Sequence, residues 1–167
     1  MYLFKYEDLP NADIISKAKY LSGGGGWAKE PLSKLFKNPP YKGIGNQGGI
    51  RRTKVEVKNN NSDAYIVLLN TKKQEEWANY YDSQTGILTY YGDNRTPGKD
   101  IHDTKQKGNL ALSRIFENAS SKRSERIPPI FYFESIGSGS DVQFIGLAVP
   151  YVEGLKPSEL LVDTLFE

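Results

Sequence analysis

A chain of 167 residues, 38% hydrophobic and 25% charged, is long enough to bury a proper core as one soluble domain. It has no cysteine and a single histidine, His102, which excludes disulfides and thiolate metal sites and leaves little for a His-based triad or zinc site. The net charge of +2 is too mild to mark a polyanion partner by itself, so any such site must come from local clustering of basic groups.

The N-terminal stretch MYLFKYEDLP carries acids early and shows no cleavage pattern, so no signal peptide is expected. No apolar run approaches the ~20 residues of a membrane span, and the expected compartment is the cytoplasm. Ile14 to Tyr20 reads as a strand, followed by the break of Gly23 to Gly26. Pro31 to Phe36 reads as a short helix with proline in its first turn. Residues 41–52, YKGIGNQGGIRR, hold Gly43, Gly45, Gly48 and Gly49. This run predicts a loop with backbone bends or close approach to a partner.

Thr53 to Lys58 alternates and reads as a strand, and Ala64 to Leu69 reads as a central strand buried on both faces. Trp77 to Tyr81 and Ile87 to Tyr91 predict an antiparallel hairpin around a turn at Asp82 to Gly86. Asn109 to Ala119 carries Leu110, Leu112, Ile115 and Phe116 at roughly helical spacing, with Asn109 as the cap. Ile130 to Ile136 and Val142 to Val149 form a second hairpin across GSGS. Pro157 to Phe166 reads as a short amphipathic helix. Hairpins dominate, which implies class α+β: a curved, mostly antiparallel β-barrel flanked by short helices, in a single domain over residues 1–167.

Several residue groups carry chemistry. Asp82, Asp93, Asp100 and Asp103 lie near Lys99 and Lys105, as a metal-dependent nuclease would need. Their spacing matches no nuclease motif, and turn-rich loops collect aspartate anyway. No catalytic residue, metal ligand or cofactor is assigned. Trp77, Tyr80, Tyr81, Tyr90 and Tyr91 come together on the first hairpin, with the two rings of each Tyr pair on opposite faces. Such rings could be packing, or they could sandwich an extruded base, with Asp82 or Asp93 accepting from its exocyclic amine. Basic residues gather in predicted loops: Arg51 and Arg52, Arg95 and Lys99, Lys105 and Lys107, and Lys122 to Arg126. A basic rim around an aromatic pocket is the footprint of a nucleic-acid reader. Three readings stay open on these residues: a duplex reader, a small metal-dependent nuclease and a single-stranded nucleic-acid barrel.

One succession is more specific. It runs from Trp77 through Tyr81-Asp82, Thr85-Gly86, Tyr90-Tyr91-Gly92-Asp93-Asn94-Arg95, Pro97-Gly98-Lys99, His102-Asp103-Thr104 and Gly108-Asn109 to Leu112 and Phe116. Together with PLSKL from Pro31, GNQGG from Gly45 and FIGLAVP from Phe144, it resembles the N-terminal domain of the AspBHI/MspJI-type modification-dependent restriction endonucleases. The resemblance covers about residues 12 to 150. That domain is similar to the SRA (PUA-like) modules that bind 5-methylcytosine. A looser echo of those modules stands at Tyr81-Asp82, Thr89-Tyr90-Tyr91-Gly92 and Asn109 to Leu112.

The resemblance implies an SRA-like barrel that turns a modified cytosine, 5-methyl or 5-hydroxymethyl, out of double-stranded DNA. It implies no enzyme in this chain, because the family's cleavage belongs to a separate PD-(D/E)xK domain, through which oligomers could form. The expected base pocket is Asp93, then Asp82, with Tyr91, Trp77, Tyr81 and Tyr90. The expected DNA contacts are Asn46, Gln47, Arg51, Arg52, Asn94, Arg95, Lys99, Thr104, Lys105, Lys107 and Asn109.

Overall fold

Two strands built from unbroken apolar runs anchor the molecule. In the computed structural model, β4 (Ile66–Asn70) and β7 (Ile130–Ser135) pair in parallel, Ile66 opposite Ile130 and Asn70 opposite Glu134. Ile66, Val67, Leu68 and Ile130 to Phe133 are all fully buried, as strands covered on both faces must be. The structure describes residues 1–5, 19–20, 49–52, 66–70, 78–92, 108–121, 127–135 and 142–157.

The other strands are β1 (Tyr2–Lys5), β2 (Lys19–Tyr20), β3 (Ile50–Arg52), β5 (Tyr80–Asp82), β6 (Ile87–Thr89) and β8 (Val142–Val149). Among the described residues the sheet runs β3-β4-β7-β8-β1-β6-β5, with β2 also on β8. Every pair except β4–β7 is antiparallel. The sheet is a curled, mixed half-barrel with one described helix, α1 (Gly108–Ser120).

The expected β7–β8 hairpin forms. Its register shifts between Tyr132 and Phe133, opposite Gly146 and Phe144, so Ile145 is the extra residue of a bulge. Alternation splits the buried side chains into two sets. Ile66, Leu68, Ile130 and Tyr132 join Leu3, Ile50, Leu88 and the Ala111, Leu112, Ile115 and Ala119 face of α1 in one cluster. Phe131, Phe133 and Phe144 pack with ring centroids 5.4–6.0 Å apart.

Several elements differ from the sequence reading. The N-terminal stretch, given no element, supplies β1, which lies between β8 and β6 with Leu3 buried. The predicted loop at 41–52 ends in a strand: Ile50 to Arg52 pair with Leu68 to Ile66. Ile50 is fully buried, and its burial brings the backbone onto β4. Arg51 and Arg52 are therefore strand residues and not loop residues.

β5 starts at Tyr80 and includes Asp82, and β6 stops at Thr89, before Tyr90 and Tyr91. Helix α1 begins at Gly108, which puts Asn109 inside the first turn and not at the cap. The reason is contact: a Cβ on Gly108 would lie 2.6 Å from the Cβ of Ile50, so the helix start sits directly on β3. The predicted strand at Thr53 to Lys58 and the helix at Pro31 to Phe36 lie outside the described residues, as do most of Ile14 to Tyr20 and of Pro157 to Phe166.

Candidate nucleic-acid interface

The β5–β6 hairpin sets the tyrosines by simple alternation. Tyr80 pairs with Thr89, Tyr81 with Leu88 and Asp82 with Ile87. Leu88 is fully buried, so Tyr81 shares its face and packs half-buried against the core, as does Tyr90. Tyr80 and Tyr91 point the other way and are 56% and 52% exposed. The ammonium of Lys5 lies 5.9 Å from the centre of the Tyr81 ring, a cation–π distance. The rings expected to form one pocket are thus divided: Tyr81 and Tyr90 inward, Tyr91 outward. Tyr80 shares the outer face with Tyr91.

Asp82 stands at the turn end of this hairpin. Its Oδ1 accepts the Gln84 backbone N–H at 2.9 Å, and its backbone carbonyl accepts Gly86 N–H at 2.9 Å. The Gln84 amide first, and then the Thr85 hydroxyl, hold its carboxyl below the usual aspartate value. Thr85 in turn accepts Ile87 N–H at 3.3 Å. Tyr91 lies at the open end, four residues beyond the Ile87 that faces Asp82.

The open end meets the far side of the sheet. In strand order β4 is next to one end of the sheet and β5 is the other end. Yet the Asn70 amide at the end of β4 donates to the Asn79 carbonyl, just before β5, at 2.8 Å. The Tyr90 hydroxyl donates to the Leu69 carbonyl at 3.2 Å. Among the described residues the curl therefore closes across a seam made of side-chain hydrogen bonds, without a strand ladder.

Behind the seam, Asn70 also donates to the Tyr132 hydroxyl at 3.1 Å, and Tyr132 donates to Glu134 Oε1 at 2.8 Å. Burial above all pushes the Tyr132 hydroxyl far above its usual pKa of 10.0, and the neighbouring Glu134 adds to this against the Asn70 bond. In front of it, Asn79 Oδ1 accepts Tyr91 N–H at 2.7 Å. Helix α1 covers the same seam, with Gly108 on Ile50 and the Asn109 side chain against Gly92.

Asn70, Asn79, Tyr132 and Glu134 were not singled out from the sequence. The signal was there in β7: period two puts a tyrosine and a glutamate on one face of an otherwise apolar strand. Asn109 is 9% exposed and faces Gly92. Arg51 and Arg52 lie on β3, opposite Val67 and Ile66. Trp77, Asp93, Asn46, Gln47, Asn94, Arg95, Lys99, Thr104, Lys105 and Lys107 lie outside the described residues, as do Asp100 and Asp103. Among the described residues no group of three or more acids and histidines forms a metal site, and no helix is long and apolar enough to cross a membrane.

Residues 15–165 match the family model described as restriction endonuclease AspBHI N-terminal. Among solved structures, the DNA recognition domain of the cytosine modification-dependent restriction endonuclease LpnPI is similar at 35% identity and TM-score 0.66. The match covers 95% of this chain and 68% of that one. The DNA modification-dependent restriction endonuclease AspBHI is similar at 32% identity and TM-score 0.64, over 87% of this chain and 64% of that one. MspJI restriction endonuclease in complex with a 27-mer oligonucleotide shares the fold, at 16% identity and TM-score 0.57 over 81% of this chain and 36% of that one. No curated protein gives a match.

Proposed function

The chain belongs to the restriction endonuclease AspBHI N-terminal family, in which the matched region is a recognition domain and not a catalytic one, and from this we propose that it binds double-stranded DNA and reads a modified cytosine by turning it out of the helix. The observation that carries the proposal is the likeness to the LpnPI recognition domain over nearly the whole chain. The chain spans 68% of the LpnPI chain and 64% of the AspBHI chain to which it is similar. We take residues 1–167 as one reading domain, working in the cytoplasm. Cleavage and any oligomer belong to a further domain of the family's enzymes.

The base sits at the open end of the β5–β6 hairpin. Tyr91 supplies an exposed ring there, and Trp77 a second ring. Tyr81 and Tyr90 back the site from the core side. Asp93 follows Tyr91 by two residues and accepts from the exocyclic amine of the base. Asp82 is the second candidate. Its commitment to the Gln84 and Thr85 turn and its place at the other end of the hairpin both favour Asp93. Asn46, Gln47, Asn94 and Thr104 reach into the grooves, and Arg51, Arg52, Arg95, Lys99, Lys105 and Lys107 hold phosphates. Asn109 acts from behind Gly92.

Turning a base out costs a few kcal/mol. Stacking at about 1–3 kcal/mol per base and the phosphate contacts offset it. Burying one methyl group adds about 1 kcal/mol, so a preference of about fivefold for 5-methylcytosine is the minimum expected. Asp93→Ala should erase that preference and leave salt-sensitive background binding intact, whereas Asp82→Ala should keep it. The opposite pattern moves the pocket to Asp82, and loss in neither variant refutes a carboxylate reader on this hairpin.

A further inference from the structure

Two polar side chains are buried among the described residues, Asn70 at 4% exposure and Asn109 at 9%. Burying an amide in an apolar core is unfavourable unless its hydrogen-bonding groups are satisfied, and an apolar residue would fill either place at less cost. Both asparagines bear on the same three residues. Asn70 donates to the carbonyl of Asn79, whose own side chain accepts Tyr91 N–H. Asn109 lies against Gly92, where a Cβ would come within 3.0 Å of the Asn109 Cγ. Gly92 has φ +98°, a backbone that side chains other than glycine rarely adopt. The third member, Tyr90, is tied by its hydroxyl to Leu69. Residues 90–92 thus leave the sheet at Thr89 and are held one by one, from β4, from the residue preceding β5 and from α1.

We propose that Asn79, Asn70 and Asn109 are positioning residues that fix the Tyr90–Gly92 segment, and that this fixed backbone, through the Tyr91 ring, sets the discrimination between modified and unmodified cytosine. The inference rests on the reading that Tyr91 contacts the extruded base. Its physical basis is the short range of dispersion: a gap of 0.5–1 Å around a methyl already forfeits about a quarter to a half of each contact. A ring on a freely moving backbone cannot hold that tolerance, whereas phosphate contacts made elsewhere on the chain are insensitive to it. The clamp therefore acts on the preference for modification and leaves the overall attraction to DNA unchanged.

The test uses Asn79, which is only half-buried, so that its variants stay folded. Affinities for matched duplexes with and without 5-methylcytosine are measured at one salt concentration for the whole chain and for Asn79→Ala, Asn79→Asp, Asn109→Ala and Tyr91→Ala. Asn79→Ala removes the acceptor for Tyr91 N–H. It should lower the preference from about fivefold to about two- to fourfold, leave affinity for the unmodified duplex unchanged, and speed exchange of the Tyr91 amide proton. Asn79→Asp keeps the acceptor and should keep the preference. Taking the ratio of two affinities cancels the effect of its added charge. Asn109→Ala, removing the side chain behind Gly92, should lower the preference in the same direction.

If Asn79→Ala keeps the preference while Tyr91→Ala loses it, the clamp is refuted and the base-contact reading stands. If Tyr91→Ala also keeps the preference, the base-contact reading fails and the clamp's purpose with it. Loss of preference in Asn79→Asp as well would show that the amide, and not the acceptor, matters, and would overturn the proposed route through Tyr91 N–H.

Discussion

Replacing Tyr132 with phenylalanine removes one oxygen atom from the seam and leaves the ring in place. That oxygen accepts from Asn70 at 3.1 Å and donates to Glu134 at 2.8 Å. Asn70 is buried, so water cannot replace the lost acceptor, and a buried donor without a partner costs about 1–3 kcal/mol. Asn70 keeps its bond to Asn79, and half-buried Glu134 can recruit water, so the lower half of that range applies. The expected loss is about 1.5 kcal/mol at pH 7, or about 3–6 °C in melting temperature for a domain of this size.

The pH dependence sharpens this prediction. The folded protein holds the Tyr132 proton well above the ordinary value of 10.0, whereas the unfolded chain releases it there. The stabilisation from Tyr132 is therefore complete below pH 10 and is lost as pH rises further. Each pH unit above 10 removes about 1.4 kcal/mol from the wild type and nothing from Tyr132→Phe through this group. Urea denaturation should thus show a lower midpoint for the variant at pH 7 with unchanged slope, and a gap that closes near pH 11. A variant as stable as the wild type at pH 7, or a gap that widens above pH 10, would refute the seam as a coupled hydrogen-bonded unit.

Two further outcomes follow from the hairpin and its surroundings. Asp82 is held ionised by the Gln84 amide and Thr85, so its folded value lies below the unfolded 3.8. Its stabilising effect is present above pH 3.8 and is lost as pH falls. Asp82→Ala should therefore be slightly less stable than wild type at pH 7, and thermal melts should show the difference vanish in acid. Arg95→Ala, removing a proposed phosphate contact, should weaken binding to modified and unmodified duplexes alike and reduce the slope of log affinity against log salt by about one.

The parts of the fold that were legible from sequence are those written in local pattern. The β7–β8 hairpin announced itself by two apolar runs around GSGS, and α1 by apolar residues at helical spacing. Tyr80-Tyr81 and Tyr90-Tyr91 were rightly read as facing two ways, because alternation needs no tertiary information. What could not be read was long-range. β1 is four residues with little pattern of its own, and it becomes a strand because β6 and β8 both pair with it. β3 was hidden behind glycines and is defined by Ile50 on β4. The Asn70–Asn79 bond exists only because the sheet curls until its second and last strands meet. The same closure turns Asn109 from a presumed cap into a buried contact for Gly92.

The most direct measurement is a competition at one moderate salt concentration. Identical DNA duplexes carrying cytosine, 5-methylcytosine or 5-hydroxymethylcytosine at one position, and the modified single strand, compete for the chain. A modified duplex that outcompetes the unmodified one by about fivefold or more, and also outcompetes the single strand, is the expected result. Equal affinity for modified and unmodified duplexes, or preference for the single strand, would contradict a reader of modified cytosine in double-stranded DNA.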